Sequence, residues 1–239
     1  MAIGPQNRVF ATRTVDQVAI DQGLRSYMLR VYNYMASGLA LTGIVAAFTA
    51  STPELFQAIF GTPLKWVVML APIGFVFLFA ARIHHMKAST AQTLFWVFAG
   101  LMGLSLSTIF MVYTGASVAR VFFITAGTFA AMSLYGYTTK RDLTKIGSFL
   151  FMGLIGVVIA SIVNLFLASS ALQFAISVIG VLGFVGLTAY DTQRIRNTYL
   201  DSDDGETMSK KAIFGALTLY LDFINLFVML LQLFGARRD

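Results

Sequence analysis

The chain has 239 residues, of which 57% are hydrophobic and only 12% are charged. Soluble domains carry about 25% charged residues, so this composition argues against a soluble globule, a disordered chain and a nucleic-acid-binding protein. The mean hydropathy of +0.76 instead indicates an integral membrane protein, in which the net charge of +6 reflects basic loops on one side of the membrane. The absence of cysteine excludes disulfides, thiol catalysis and thiolate metal sites.

Long apolar runs follow a polar N-terminal segment. Residues 1–28 lack the apolar core of a signal peptide and are predicted to form a cytoplasmic tail. A helix needs about 20 residues to cross the hydrocarbon, and the apolar runs predict seven such helices, at 29–50, 64–83, 90–113, 117–137, 146–168, 171–193 and 212–234. The predicted fold is therefore all-α and polytopic, with one membrane domain over 29–236 and a C-terminal tail over 237–239.

The placement of lysine and arginine predicts the orientation. With the N-terminus inside, 13 of the 17 basic residues face the cytoplasm, and the exceptions are Lys65, Arg120, Arg237 and Arg238. Seven spans then put the C-terminus outside. Arg237 and Arg238 oppose that arrangement, and a six-span alternative with a re-entrant element would leave both ends inside.

Asp222 is the most informative polar residue within a predicted span. It lies ten residues into the last span, near the bilayer midplane, where an aspartate costs about 2.5 to 3.5 kcal/mol on insertion scales. It is therefore expected to be protonated, paired or hydrated. Asn225 shares its helix face, and Asn225, Tyr190 and Tyr220 are the candidate supporting residues of one polar patch.

Asp191 closes the sixth predicted span in the motif Thr188-Ala-Tyr-Asp-Thr-Gln-Arg-Ile-Arg. Its carboxylate could simply meet water or Arg194. The predicted boundaries put it about 10 Å or more above the level of Asp222. The two acids meet only if the sixth helix continues past Arg196, or if the helices tilt, so spacing alone leaves the pairing open.

The remaining polar and small residues predict structural roles. Glycines at 180, 183 and 186 form a stripe that allows close helix contact, and Asn164 is expected to join two helices. His84 and His85 are expected to be a solvated interface pair. The acidic loop, with Asp201, Asp203, Asp204 and Glu206, lacks the spacing of a calcium loop and is predicted to be solvated. No catalytic constellation, cofactor motif or permanent metal site is evident, so an enzyme is not expected.

Three motifs carry a family resemblance. Gly183-Phe-Val-Gly-Leu-Thr-Ala-Tyr-Asp-Thr-Gln-Arg-Ile and Gly215-Ala-Leu-Thr-Leu-Tyr-Leu-Asp-Phe-Ile-Asn-Leu-Phe-Val-Met-Leu-Leu closely resemble the Bax inhibitor-1 family of transmembrane Bax inhibitor motif proteins. Ala131-Met-Ser-Leu-Tyr-Gly-Tyr-Thr-Thr-Lys-Arg-Asp-Leu resembles its bacterial branch. The resemblance implies seven helices with the C-terminal helix at the centre, in the bacterial inner membrane.

The resemblance also implies a function and its residues. It implies a pH-sensitive calcium leak in which Asp191 and Asp222 form a hydrogen-bonded pair, hold calcium transiently and gate the pore. Arg82 aligns with an arginine of the family at the cytoplasmic end of the second helix and is the candidate counter-charge of the pair. A family acid one helix-length earlier has no counterpart, because Met69–Phe79 is uncharged.

Three functional hypotheses follow. The first is the calcium leak, whose partners are the lipid bilayer, calcium ions and protons. The second is a regulatory interaction protein, resembling a cell-death suppressor, that modulates membrane protease or other membrane complexes. The third is a proton-coupled cation exchanger that uses the same carboxyl pair.

Overall fold

The computed structural model describes residues 5–83 and 85–238, with side chains from residue 21 onward. All regular elements in this part of the chain are α-helices. They are α1 (Pro5–Ser51), α2 (Pro53–Phe60), α3 (Leu64–Arg82), α4 (Ala88–Leu106), α5 (Ile109–Val112), α6 (Gly115–Thr138), α7 (Thr144–Leu167), α8 (Ser170–Asn197) and α9 (Gly205–Phe234).

Seven stretches are long and apolar enough to cross a membrane, which confirms the predicted all-α polytopic fold. They are Asp21–Ser51, Leu64–Arg82, Ala88–Val112, Gly115–Thr138, Thr144–Leu167, Ser170–Asn197 and Gly205–Phe234. The third combines α4 with the short α5, and α2 lies in the connection after α1. With seven spans, the beginning of α1 and the end of α9 lie at opposite ends of the bundle, in contrast to the six-span alternative.

The helices are longer than the predicted spans. The first begins before residue 29, so the predicted boundary between tail and domain falls inside α1; residues 1–4 lie outside the described residues. The last begins at Gly205 rather than 212, where the Asp204 carboxylate accepts a hydrogen bond from the Thr207 N–H at 2.8 Å. The hydrogen bonds from Thr207 lower the pKa of Asp204, so this cap stays ionised at neutral pH. Apolarity marks only the part of a helix that matches the hydrocarbon, and capped polar turns continue beyond it.

Helix α9 forms the centre of the bundle, as the family resemblance implies. It packs against α1, α4, α6 and α8, and it is the most buried of the seven spans. By contrast, α7 packs on α8, and α3 packs on α4 and the short α2. Residues on α9 are therefore shielded from lipid on most sides.

Contacts between loops define the two ends of the bundle. The Glu206 carboxylate accepts from the Ala88 N–H, and the Gln193 side chain donates to the Arg141 carbonyl at 2.7 Å. Residues 85–87 and the loops 139–143 and 198–204 therefore share one end, termed the basic end for its lysines and arginines. At the opposite end the C-terminal segment pairs with the α5–α6 connection, where the Thr114 N–H donates to Ala236 at 3.0 Å.

Three helix contacts have a glycine at the point of closest approach. A Cβ on Gly136 of α6 would overlap the Ala189 carbonyl oxygen of α8. Within the predicted stripe, a Cβ on Gly180 would meet Met229 of α9 and one on Gly186 would meet Leu150 of α7, whereas Gly183 faces open space. The prediction of close contact is therefore confirmed for two of the three stripe glycines.

The α6–α8 crossing yields a stability prediction. We expect Gly136→Ala to destabilise the protein by about 1 to 3 kcal/mol, because the new methyl meets backbone that moves only if a whole helix moves. Gly127→Ala in the same helix is the matched control, since a Cβ there meets nothing within 4 Å. Thermal unfolding in detergent measures both. Equal melting temperatures for the two variants would contradict the close crossing.

Candidate functional site

The structure brings Asp191 of α8 and Asp222 of α9 together. Their carboxyl groups lie within hydrogen-bonding reach of each other, which is the pairing that sequence spacing left open. Both residues are buried, with 9% and 6% of their surface exposed. The pair therefore joins a surrounding helix to the central one by an interaction between two acidic side chains.

The antiparallel packing of α8 and α9 resolves the predicted mismatch in depth. Gly215 lies against Ile195, and Gly180 lies against Met229, so Asp191 is level with about residue 219, roughly one helical turn from Asp222. Side chains on a helix lean toward its N-terminus. Because the two helices are antiparallel, the Asp191 and Asp222 side chains lean toward each other and close that gap.

The continuation of α8 makes this register possible. The helix passes Arg194 and ends at Asn197, not at the predicted residue 193. Arg196 donates from its guanidinium to the Tyr137 carbonyl at the end of α6, where a cation is favourable because the last carbonyls of a helix lack intrahelical partners. Asp191 consequently lies within a regular helix and not at its frayed end.

A cavity of about 540 Å³ extends from the basic end to Asp191. We term it the vestibule. Its lining comes from Tyr27 of α1, the ends of α3 and α8 and the first half of α9, and includes Arg194, Lys210 and Lys211. One member of the acid pair therefore lines a space that admits water-sized molecules, while the Asp222 oxygen Oδ2 is buried without a hydrogen-bond donor among the described residues.

The cation that interacts with the pair differs from the predicted one. The positive charge that acts on the Asp191 carboxyl belongs to Arg194, one turn further along α8. Arg82 is exposed and lines a separate cavity between α3 and α4 together with His85 and Met86; His84 lies outside the described residues. The family alignment identified the correct end of the bundle, but α3 does not bring Arg82 to the acids.

The predicted supporting residues lie elsewhere. The Asn225 amide donates to the Leu221 carbonyl of its own helix at 2.8 Å. The Tyr220 hydroxyl bonds with the Thr42 hydroxyl at 2.7 Å on the side of α9 that faces α1, and the Tyr190 ring packs over Gly147 of α7. The predicted polar patch around Asp222 is therefore not formed, because the two tyrosines, one and two positions from the acids, turn toward other helices, and the Asn225 amide bonds to its own backbone.

Other polar residues next to Asp191 fix its helix. The Thr192 hydroxyl bonds with Ser133 at 2.9 Å, and Ser133 bonds with the Tyr32 hydroxyl at 2.6 Å, so one chain of hydroxyls links α8, α6 and α1. Gln193 accepts from the Leu143 N–H at 2.9 Å. These residues were not predicted from the sequence. Three consecutive polar residues, 191–193, within an apolar run were nevertheless a signal that polar contacts lie at this point of the helix.

The acidic loop and the helix-joining asparagine have structural roles. Asp203 forms an ion pair with Lys211 at 2.5 Å, Asp204 caps α9, and Glu206 binds the first turn of α4. Asn164 accepts from the Ser169 N–H and donates to Gln173, so it joins α7 to α8 at their turn. Within the described residues no three metal-ligating side chains converge. The acid pair therefore offers calcium at most four carboxylate oxygens, fewer than the six to eight oxygens that it takes.

Fold and site together define a polytopic membrane protein whose central helix contributes one member of a buried carboxyl pair. The family model described as "Inhibitor of apoptosis-promoting Bax1" matches residues 24–239. The chain therefore belongs to the Bax inhibitor-1 family.

Relatives over nearly the whole chain agree with this assignment. An uncharacterized protein of Rickettsia prowazekii is 52% identical over 228 residues, which cover 95% of this chain and 97% of that protein. The "Inner membrane protein YbhL" of Escherichia coli K12 is 49% identical over 219 residues, covering 90% and 94%. An uncharacterized membrane protein of Streptococcus pyogenes is 36% identical over 218 residues, again covering 90% and 94%.

The position of Tyr220 yields a prediction that separates the stability of the helix bundle from the pH response of the acid pair. We expect Tyr220→Phe to lower stability by about 1 kcal/mol, because it removes a buried hydrogen bond to Thr42. Thermal unfolding in detergent measures this loss. Any pH response of the acid pair should remain parental, since the hydroxyl faces α1. A pH response that changed with unaltered stability would contradict this separation.

Proposed function

We propose that the protein is a pH-sensitive calcium leak of the bacterial inner membrane, gated by the Asp191–Asp222 pair. The supporting observation is a buried carboxyl pair, one member of which lines a vestibule that reaches it from the basic end. Buried ionisable residues in membrane spans are costly and commonly mark ion or proton pathways. Membership of the Bax inhibitor-1 family adds the same expectation.

In this proposal a proton shared by Asp191 and Asp222 holds α8 against α9. We term this shared proton the latch. Two ionised carboxylates are acceptors only, so a proton between them is the donor that the pair and the buried Oδ2 of Asp222 require. With the proton in place, the pair ties α8 to α9. Its loss leaves two like charges a few ångströms apart in a medium of low dielectric. They separate or recruit a cation from the vestibule, and the helices part.

The described conformation corresponds to the closed state of this gate. Phe223, one residue after Asp222, packs against Phe122 and Phe129 with ring centroids 5.5 and 5.6 Å apart. These ring contacts join α6 to α9 next to the acid pair. Opening therefore requires α9 to move relative to its neighbours, and the carboxyl pair is the polar contact best situated to control that movement.

The proposal includes an orientation. The basic end faces the cytoplasm, because lysine and arginine are retained on that side, and the N-terminus lies there too. The acid pair then responds to cytoplasmic pH, since the vestibule that reaches Asp191 begins at the same end.

Asparagine substitutions test the latch. We expect Asp222→Asn and Asp191→Asn each to flatten the pH dependence of calcium flux between about pH 6 and 8, because the proton belongs to the pair. Flux into liposomes that hold the purified protein, at stepped pH, measures this. Asp142→Asn is the matched control: hydrogen bonds from Thr144 hold the pKa of this exposed carboxyl below its usual value, so it does not titrate in the range.

Either of two results would overturn the latch. One is the absence of calcium flux at any pH in the parent, which would favour the regulatory interaction protein. The other is an Asp222→Asn profile equal to that of the parent. Flux that stops when a proton gradient is collapsed, in an otherwise active protein, would instead identify the proton-coupled exchanger.

The two arginines give a separate prediction. We expect Arg194→Gln to move the opening of the leak to higher pH, because the pair keeps its proton more readily without a neighbouring cation. Arg82→Gln should leave the profile parental, since that side chain lies beside a different cavity. The same liposome assay compares them. The reverse pattern would restore Arg82 as the partner of the acids.

A further inference from the structure

The vestibule is lined by cations although it leads to an acid. Arg194, Lys210 and Lys211 contribute to its lining, and Asp191 is the one acid among the residues that line it in the described structure. Apolar side chains, among them Ile83, Ile195 and Phe214, form much of the remaining wall. Walls of low dielectric concentrate the field of the charges between them.

The three cations differ in how far they are neutralised. Lys211 donates to the Asp203 carboxylate and to the Thr198 carbonyl. Arg194 acts electrostatically on Asp191 and Lys210 on Asp204, but neither cation makes a direct ion pair among the described residues. Two cationic groups therefore face the same space with unused hydrogen-bond donors.

We propose that the vestibule is a binding site for a phosphate-bearing anion, held by Arg194 and Lys210. A phosphate group accepts charge-assisted hydrogen bonds on several oxygens at once, and a guanidinium supplies paired donors while an ammonium supplies a point charge. The volume of about 540 Å³ admits such a group together with water. The source is either the headgroup of an anionic lipid or a soluble phosphate compound.

The consequence for ion flow rests on the proposed function. A calcium ion that approaches Asp191 from the basic end must pass these cations, whose potential repels it. An anion between them offsets that potential and makes the approach easier. Occupancy of the vestibule would thus regulate the leak independently of the shared proton.

Binding is tested without reference to transport. The full-length protein is placed in nanodiscs of phosphatidylcholine, in phosphate-free buffer, and titrated calorimetrically with inorganic pyrophosphate. We expect saturable binding that weakens about tenfold in the double variant Arg194→Gln, Lys210→Gln. Lys140→Gln, an exposed lysine of the same end outside the vestibule, should stay within about twofold of the parent. The double variant Arg194→Lys, Lys210→Arg keeps both charges and should retain binding, which separates loss of charge from loss of fold.

A second experiment identifies whether the phosphate group comes from a lipid headgroup or from a soluble compound. Nanodiscs that contain phosphatidylglycerol should weaken pyrophosphate binding if a lipid headgroup occupies the site, and should leave it unchanged if the natural anion is soluble. The proposal is overturned by the absence of pyrophosphate binding in phosphatidylcholine, or by equal binding in the parent and the glutamine variant. Binding without calcium flux at any pH would contradict the leak alone, and flux without binding would contradict this inference alone.

Discussion

The contact between Asp191 and Asp222 is the constraint on which the rest of the structure depends. An unpaired acid at mid-span costs about 2.5 to 3.5 kcal/mol, so α9 can occupy the centre of the bundle only if a neighbour supplies a partner for Asp222. Helix α8 does so because it continues to Asn197 and packs antiparallel to α9 in a register that turns the two side chains toward each other. The direction and register of these two helices are thus the ones that this polar contact requires.

Hydrogen bonds between helices and close contacts at glycine hold together the helices that surround the acid pair, which we term the frame. Lipid is as apolar as leucine, so helices in a membrane associate through close packing and a few polar contacts. Here Thr42 joins α1 to α9 and α4, a hydroxyl chain through Ser133 joins α1, α6 and α8, and Gly136 lets α6 touch the backbone of α8. These contacts fix the helices around the acid pair without involving it, so the pair can change its charge while the frame persists.

The sequence predicted the spans better than it predicted the site. Apolar runs identified seven helices, because the thickness of the hydrocarbon sets their length. The break between the predicted spans 146–168 and 171–193 coincides with the observed turn near Ser169. Helix ends were missed because capping, as by Asp204, depends on local hydrogen bonds and not on hydropathy. Tyr220 and Arg82 were misassigned because the direction of a side chain depends on which neighbour each helix face meets, and a single sequence does not state that.

The proton shared by Asp191 and Asp222 is the central claim, and infrared spectroscopy tests it directly. Protein with isotope-labelled aspartate carboxyls, reconstituted in liposomes, should show the band of a protonated carboxyl that is absent from both asparagine variants. The account predicts that this band disappears over the same pH interval in which calcium begins to leak from the same liposomes. A leak that opens while the band persists, or a parent protein without the band at any pH at which the leak is closed, would contradict it.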